Sequence, residues 1–174
     1  MKRGRAWVFG DAVDTDVIIP GQYLDNYSPE FLAKHVMEGI DPTFSSKVAK
    51  GDIIVAGKYF GIGSSREQAA IALKAAGVGI ILAESFARIF FRNAINLGML
   101  PIVCPGCTRM FHSGDELCID VEQGKVFDSK DPKRSLDFKP LSPMISRIYE
   151  AGGLVNLLRA EIAPRNADKK DNEA

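Results

Sequence analysis

Short apolar runs and helical segments alternate through the middle of the chain. The apolar runs lie at 52–56, 78–83 and 101–104, and turn residues follow them, as is typical of buried strands. Residues 68–76 and 86–97 between them have helical composition, and a glycine follows each segment. Ser85 is the expected N-cap of the second helix. This succession predicts two βαβ units and parallel pairing of the three strands.

The first part of the chain predicts two more strands and a helix. Residues 7–9 and 17–19 are apolar, an acidic turn separates them, and a proline ends the second run. Ser28 is a favourable N-cap for a helix over 29–38, which Gly39 would end.

The last part of the chain changes character. Residues 117–121 and 125–128 predict a β-hairpin beside the core, because a short turn with a glycine joins two alternating runs. Two helices are expected at 142–149 and 154–162. The polar residues 165–174 are expected to form a disordered tail.

Length and composition indicate one α/β domain over residues 1–164, with a mainly parallel sheet, βαβ units and a peripheral hairpin. The 22 basic and 22 acidic residues balance, so no overall field attracts nucleic acid or an anionic membrane. No apolar run is long enough to span a bilayer, and the N-terminus is not expected to be a signal peptide. Three cysteines, an odd number, fit a reducing compartment, so we expect a cytoplasmic protein.

The most informative stretch is residues 59–67, YFGIGSSRE, which lies where a predicted strand ends and a helix begins. Gly61 and Gly63 permit positive φ and a close approach of a ligand to the backbone. The free N–H groups and the dipole of a helix start favour an anion, and Arg66 adds a planar fork that fits a carboxylate or phosphate. The stretch therefore predicts an anion site.

A capping box is the alternative interpretation, with Ser64 as N-cap and Glu67 at the third helical position. Capping requires no ligand. It also requires neither two glycines nor a second serine and an arginine nearby, so we favour a ligand site. The pattern alone does not name the ligand.

Three segments in a fixed order carry a resemblance to a known family. They are 10–20 (GDAVDTDVIIP), 57–70 (GKYFGIGSSREQAA) and 84–96 (ESFARIFFRNAIN). Together they resemble the small subunits of 3-isopropylmalate dehydratase, the separate-chain form of the aconitase swivelling domain. The resemblance spans roughly positions 8–104 and implies a swivelling-domain-like β/β/α fold.

The resemblance implies a lyase built from two different subunits. This hydro-lyase would interconvert 2-isopropylmalate and 3-isopropylmalate by dehydration and rehydration, in leucine biosynthesis. The large partner would carry a [4Fe-4S] cluster and most catalytic side chains, while this chain closes the site and binds no metal itself. The expected ligand is a small 2-hydroxy di- or tricarboxylate, with no nucleic acid or membrane partner.

Residue roles follow from the same resemblance. Ser64 would be the base that removes the proton from the substrate's Cα, and Ser65 and Arg66 would hold a substrate carboxylate. Asp16 would belong to the rim of the active site.

The loop at Tyr23, Leu24 and Asp25 would line the pocket for the variable group of the substrate. In the resembled family an arginine after Tyr-Leu suits a distal carboxylate, and an apolar residue suits an isopropyl group. Asp25 would repel a distal carboxylate, which disfavours homoaconitate without favouring isopropyl. The same chemistry on homoaconitate, citramalate or dimethylmalate therefore stays open.

An alternative of another class is a phosphate- or nucleotide-binding module. The lysine of a P-loop is absent after the glycines, and the third glycine of a dinucleotide fingerprint is missing, so this alternative is disfavoured. Arg88 and Arg92, one helical turn apart, fit an anion clamp and a solvated or subunit-facing surface about equally well.

The cysteines suggest a metal site, which we do not predict. Cys104 and Cys107 have C-x-x-C spacing, but with Cys118 and His112 they form an irregular set that matches no common zinc site. A thioredoxin-like role is also disfavoured, because Cys104 ends a strand and does not start a helix.

Overall fold

A single mixed sheet with helices on both faces makes up the fold in the computed structural model, which describes the backbone of residues 1–170 and the side chains of residues 1–162. The strands are β1 (Lys2–Val8), β2 (Ile53–Ala56), β3 (Ile80–Ala83), β4 (Leu100–Val103), β5 (Glu116–Asp120), β6 (Lys125–Asp128) and β7 (Ser135–Asp137). The helices are α1 (Thr15–Ile18), α2 (Pro29–Lys34), α3 (Phe44–Lys47), α4 (Glu67–Ala75), α5 (Arg88–Asn96), α6 (Cys107–Met110), α7 (Pro143–Glu150) and α8 (Leu154–Lys170). A 3-10 turn lies at Gly21–Tyr23.

The sheet has a parallel half and an antiparallel half. Its strand order is β4-β3-β2-β1-β5-β6-β7, with parallel pairing from β4 to β1 and antiparallel pairing from β1 to β7. Helices α4 and α5 connect the parallel strands as two βαβ units, and β5 and β6 form the hairpin. The predicted α/β fold class is confirmed.

The short parallel strands are apolar throughout because both faces of the sheet are covered. In β2, Ile54 and Ala56 face one core, whereas Ile53 and Val55 face the other. The core beneath α2, α4 and α5 includes Leu32, Ile54, Leu73, Ile81 and Phe90. The core beneath α6, α7 and the hairpin includes Ile53, Val55, Leu82, Ile102, Phe111 and Leu117. The crossovers from β2 to β3 and from β3 to β4 run in the same direction across the sheet and have the same handedness, so α4 and α5 lie on the same face.

The predicted strand at 17–19 is wrong, since the chain makes the helical turn α1 there. The Asp14 carboxylate caps this turn by accepting a hydrogen bond from Asp16 N at 2.8 Å. Ile18 and Ile19 are fully buried. A short apolar run fits a buried helical turn as well as a strand, and the cap decided between them.

Helix α2 begins as predicted and ends early. Ser28 Oγ accepts a hydrogen bond from Phe31 N at 3.3 Å, as an N-cap does. The helix stops at Lys34 instead of running to Gly39, because Met37 adopts φ 60° and its N–H donates to Ile18 O at 2.8 Å. A long-range contact thus replaces the next helical bond.

Several other boundaries and elements differ from the prediction. Strand β1 begins at Lys2, before the apolar residues, because β5 pairs with its polar start. Helices α3 and α6 and strand β7 were not predicted, and each has only three or four residues. The predicted tail at 165–174 lies wholly outside the described side chains, and residues 171–174 are not described at all, so its disorder stays a prediction. No helix among the described residues is long and apolar enough to cross a membrane.

A buried carboxylate joins the start of the sheet to the loop before β2. Asp52 Oδ2 accepts hydrogen bonds from Arg5 Nη2 at 2.8 Å, Trp7 Nε1 at 2.8 Å and Ala49 N at 3.0 Å. Burial by itself would raise the pKa of Asp52, but these donors together hold it below its usual value. The charged form is therefore the one that the fold stabilises.

We expect Asp52→Asn to lower the free energy of unfolding at pH 7 by about 1–3 kcal/mol, because three donors lose a charged acceptor. The folded-state pKa is depressed, so this contribution is present above the unfolded pKa of about 4 and disappears as pH falls through the folded value. Urea unfolding of both proteins at several pH values measures the gap, which should close on acidification. Asp137→Asn is the matched control, since the exposed Asp137 carboxylate accepts no hydrogen bond from the described residues. If Asp52→Asn and Asp137→Asn lowered the free energy of unfolding equally, the proposed role of the Asp52 hydrogen bonds would be contradicted.

Candidate active site

Backbone hydrogen bonds hold together the loops that follow β1 and β2. Gly61 N donates to Val13 O, and Thr15 N donates to Ile62 O, each at 2.8 Å. Because both strands are parallel, their carboxyl ends lie at the same edge of the sheet, where ligands of open α/β sheets bind. The loops therefore form one surface.

The loop after β3 joins the same surface. Phe60 N donates to Ser85 O, and Ala87 N donates to Phe60 O, both at 3.0 Å. The predicted cap role of Ser85 is wrong: α5 begins at Arg88, and Ser85 Oγ instead accepts from Tyr59 N at 2.9 Å. The serine ties two loops together and caps no helix.

The two glycines of the motif are needed for contacts within the chain. Gly61 has φ 77°, and a Cβ at this position would overlap the ring of Phe90. Gly63 has φ 106°, and its Cβ would lie 2.5 Å from Oδ1 of Asp14. The predicted positive φ is found at both glycines, whose close neighbours are side chains of the same chain, and the approach of a ligand stays a prediction.

The alternative interpretation of this stretch, a capping box, is not found. Helix α4 begins at Glu67, its N-cap is Arg66, and no side chain caps it. Ser64 lies too far back because its carbonyl is held by Thr15 Oγ1 at 3.1 Å. Within the described part of the chain, the hydroxyls of Ser64 and Ser65 have no hydrogen-bond partner.

The backbone at this helix start is also free to bind. None of the N–H groups of residues 64–68 donates a hydrogen bond to another described residue. Free N–H groups and the helix dipole together favour an anion. Capping does not satisfy this group of donors, so a ligand or water must.

An open cleft of about 280 Å³ lies in front of these donors. Ser64 and Arg66 line it, with Phe90 and Ile89 of α5 opposite. The sequence analysis missed Asn93, a polar residue of the cleft wall one turn beyond Ile89. Its spacing of four residues from Ile89, on the same face of the predicted helix, was the available indication.

The carboxylate of Asp16, which was expected at the rim of the active site, orients Arg66. Its Nη1 donates to Oδ1 of Asp16 in an ion pair whose side chains are 19% and 59% exposed respectively. Such an exposed pair contributes little to stability. It leaves the other guanidinium N–H groups of Arg66 without a partner among the described residues, and these can hold a ligand carboxylate. Ser65 and Asp16 are not among the cleft walls.

The loop predicted to select the substrate starts beside this ion pair. A Cβ on Gly21 would lie 3.9 Å from both terminal nitrogens of Arg66. Tyr23 turns away from the pair, because its hydroxyl donates to Glu38 at 2.7 Å and its ring stacks on His35 at 3.8 Å. The hydrogen bond to Glu38 raises the pKa of Tyr23.

The other two residues of this loop differ in exposure. Leu24 packs against the core beneath α4, whereas Asp25 is exposed. None of Tyr23, Leu24 and Asp25 lines the cleft of this chain. Their contact with a substrate stays a prediction.

The C-x-x-C motif forms a tight turn. Cys107 N donates to Cys104 O at 3.3 Å, and Gly106 adopts φ 81°, as at the third position of a type II turn. Both thiols are fully buried, and a hydrogen bond with Cys104 together with burial raises the pKa of Cys107. Among the described residues no group of three or more His, Cys, Asp or Glu side chains is placed to hold a metal ion.

Comparison with known proteins first gives the class of protein. The family model described as the aconitase C-terminal domain matches residues 27–106. A crystal structure of 3-isopropylmalate dehydratase from Methanocaldococcus jannaschii has a TM-score of 0.89 and 44% identity, and the match covers 95% of this chain and 98% of that chain. The fold is therefore that of the aconitase C-terminal domains.

Two relatives in the curated set specify the family within this class of proteins. The 3-isopropylmalate dehydratase small subunit 1 of Methanopyrus kandleri is 57% identical over 91% of this chain and 93% of its own length. The methanogen homoaconitase small subunit of Methanothermobacter thermautotrophicus is 54% identical over 88% of each chain. The chain belongs to the family of 3-isopropylmalate dehydratase small subunits.

The packing of Gly61 on Phe90 gives a prediction for this surface. Gly61→Ala should lower the free energy of unfolding by about 2–4 kcal/mol, because the new Cβ overlaps the ring and the positive φ becomes strained. Gly10→Ala is the control, since a Cβ there meets nothing within 4 Å. Equal thermal midpoints for the two variants would show that the loops are not fixed in this way.

Proposed function

We propose that this chain is the small subunit of a heteromeric hydro-lyase that isomerises 2-isopropylmalate and 3-isopropylmalate by dehydration and rehydration, a step of leucine biosynthesis. The observation that carries the proposal is the helix start at Ser64, Ser65 and Arg66. Two free hydroxyls, a guanidinium and unpaired backbone N–H groups meet there beside an open cleft. The relatives that share the fold carry the dehydratase name.

The catalytic base in this proposal is Ser64. A serine hydroxyl accepts a proton well only if its alkoxide form is stabilised by a cation and by oriented donors. Arg66 and the free N–H groups of residues 64–68 provide both. Ser64 Oγ would take the proton from the carbon beside a substrate carboxylate and return it in the rehydration step.

Arg66 and Ser65 would hold one carboxylate of the substrate. The guanidinium offers a planar fork, and Asp16 keeps it turned toward the ligand without using all of its N–H groups. Thr15 Oγ1 holds the backbone of Ser64 by donating a hydrogen bond to its carbonyl. The site is preorganised in this chain before any partner binds.

The iron chemistry would belong to the large subunit. Its [4Fe-4S] cluster would act as a Lewis acid on the leaving hydroxyl and a carboxylate. The described part of this chain offers no ligand group for a cluster, and the hydrogen-bonded pair Cys104 and Cys107 is buried. Neither subunit should turn over alone, and we place the assembly in the cytoplasm, without nucleic acid or membrane.

The same chemistry on homoaconitate is the second candidate. The 54% identity to a methanogen homoaconitase small subunit favours it almost as much as the 57% identity favours isopropylmalate. The exposed Asp25 carboxylate would argue against a distal carboxylate on the substrate, in the role that the resemblance gives this loop. The dehydratase and homoaconitase names of these relatives do not support a nucleotide-binding module.

Ser64→Ala, mixed with the large subunit, should assemble normally and lose about 10²–10⁴-fold in kcat, as expected for removal of a general base. Steady-state dehydration of isopropylmalate measures the loss. Ser45→Ala is the control, since Ser45 forms no side-chain hydrogen bond within the described residues. Activity of Ser64→Ala within about threefold of the wild type would exclude the base role.

Asp25→Arg should raise turnover of homoaconitate relative to 3-isopropylmalate, because a pairing charge replaces a repulsive one. A shift of about 2–4 kcal/mol in the ratio of kcat/KM values is expected. Asp25→Asn, which only removes the negative charge, should give a smaller shift in the same direction. An unchanged ratio in both variants would show that Asp25 points away from the substrate.

A further inference from the structure

A second open pocket, of about 290 Å³, lies next to the cleft. Its walls are Ser85, Phe86, Arg88, Phe91, Arg92 and Val103. Arg88 also lines the cleft, so the two depressions share a wall. The apolar walls of the pocket come from Phe86, Phe91 and Val103, and both of its arginines lie on α5.

The two arginines have no acidic partner in this chain. Arg88 and Arg92 are exposed, one turn apart on α5, and neither forms an ion pair or a side-chain hydrogen bond within the described residues. The chain as a whole is electrically balanced. This local positive charge therefore complements a carboxylate that lies outside the chain.

Three large side chains near the arginines are exposed to solvent. Tyr59 is 57% exposed, Ile89 51% and Val103 47%. Val103 lines the pocket, Ile89 lines the cleft next to Arg88, and Tyr59 N donates to Ser85 Oγ of the pocket wall at 2.9 Å. Large apolar side chains exposed at one edge of the fold are typical of an interaction site.

Tyr59 adds a backbone observation. Its φ is 61°, in the left-handed region that side chains other than Gly, Asn and Asp rarely adopt. The ring is more than half exposed, so burial within this chain does not offset the cost. A strained, exposed tyrosine gains contact area only when something covers it.

We propose that Tyr59, Arg88, Ile89, Arg92 and Val103 form a docking surface for the cluster-bearing large subunit, at a segment that presents carboxylates beside an apolar side chain. The inference rests on the proposed function, which requires a partner at this edge to close the cleft. A second copy of this chain fits poorly, because in a two-fold contact the arginine pairs would face each other. The shared wall at Arg88 makes docking and closure one event.

The test uses the full-length chain and the cluster-loaded large subunit of 3-isopropylmalate dehydratase from the same organism, under anaerobic conditions. Isopropylmalate dehydration is titrated against the large subunit for wild type, for Arg92→Glu, which lies outside the cleft, and for the control Lys130→Glu, which makes the same charge change at an exposed lysine. Docking predicts a half-saturation concentration raised at least about 30-fold, with the same plateau, for the arginine variant alone. It also predicts that added salt weakens wild-type assembly and has less effect on the arginine variant.

Tyr59→Gly separates docking from folding. Glycine relieves the left-handed backbone, so the thermal midpoint should not fall, while the half-saturation concentration should rise about tenfold. Tyr27→Gly is the control, since Tyr27 is 65% exposed and has no positive φ.

In the titration of Arg92→Glu, a lowered activity plateau at an unchanged half-saturation concentration would place Arg92 in catalysis and overturn the docking role.

Unchanged titrations for both the arginine and the Tyr59 variants would overturn the inference while leaving the proposed function intact. The absence of any activity with wild-type chain and loaded large subunit would instead count against the proposed function. The two failures are therefore distinguishable in one experiment.

Discussion

The close approach of three loops at the carboxyl edge of the parallel strands is the constraint on which the rest of the site depends. Gly61 lies against the ring of Phe90, where no side chain fits, and its N–H is fixed by Val13 O. Once these loops are locked, Ser64 and Arg66 have little freedom to move. The position of the functional groups follows from backbone contacts more than from their own side-chain bonds.

This arrangement leaves donors unsatisfied at the protein surface, where water can meet them at low cost. Hydroxyls and N–H groups of residues 64–68 would be expensive to bury without a ligand. They become useful when a partner excludes water, because electrostatic interactions strengthen in a low dielectric. A chain that presents half of a site in this way is suited to work in a complex.

Polar clusters elsewhere hold the frame that supports the edge. Asp52 joins β1 to the loop before β2, and Arg134 joins Asp128 and Asp115 at 2.7 and 2.6 Å while donating to the carbonyl of Met110 at 2.6 Å. Removing one member of such a cluster leaves a charge with poor solvation. The rigid sheet between the clusters allows the loops at its edge to be both exposed and ordered.

The sequence by itself determined the parallel strands, their two connecting helices, the hairpin and the position of the candidate site around Arg66. These depend on local periodicity, turn residues and motif chemistry. Tertiary structure decided that 17–19 is helical, that Ser64 and Ser85 cap no helix, and that Asp16 pairs with Arg66. Each of these outcomes depends on contacts between residues far apart in the chain, and no local pattern encodes such contacts.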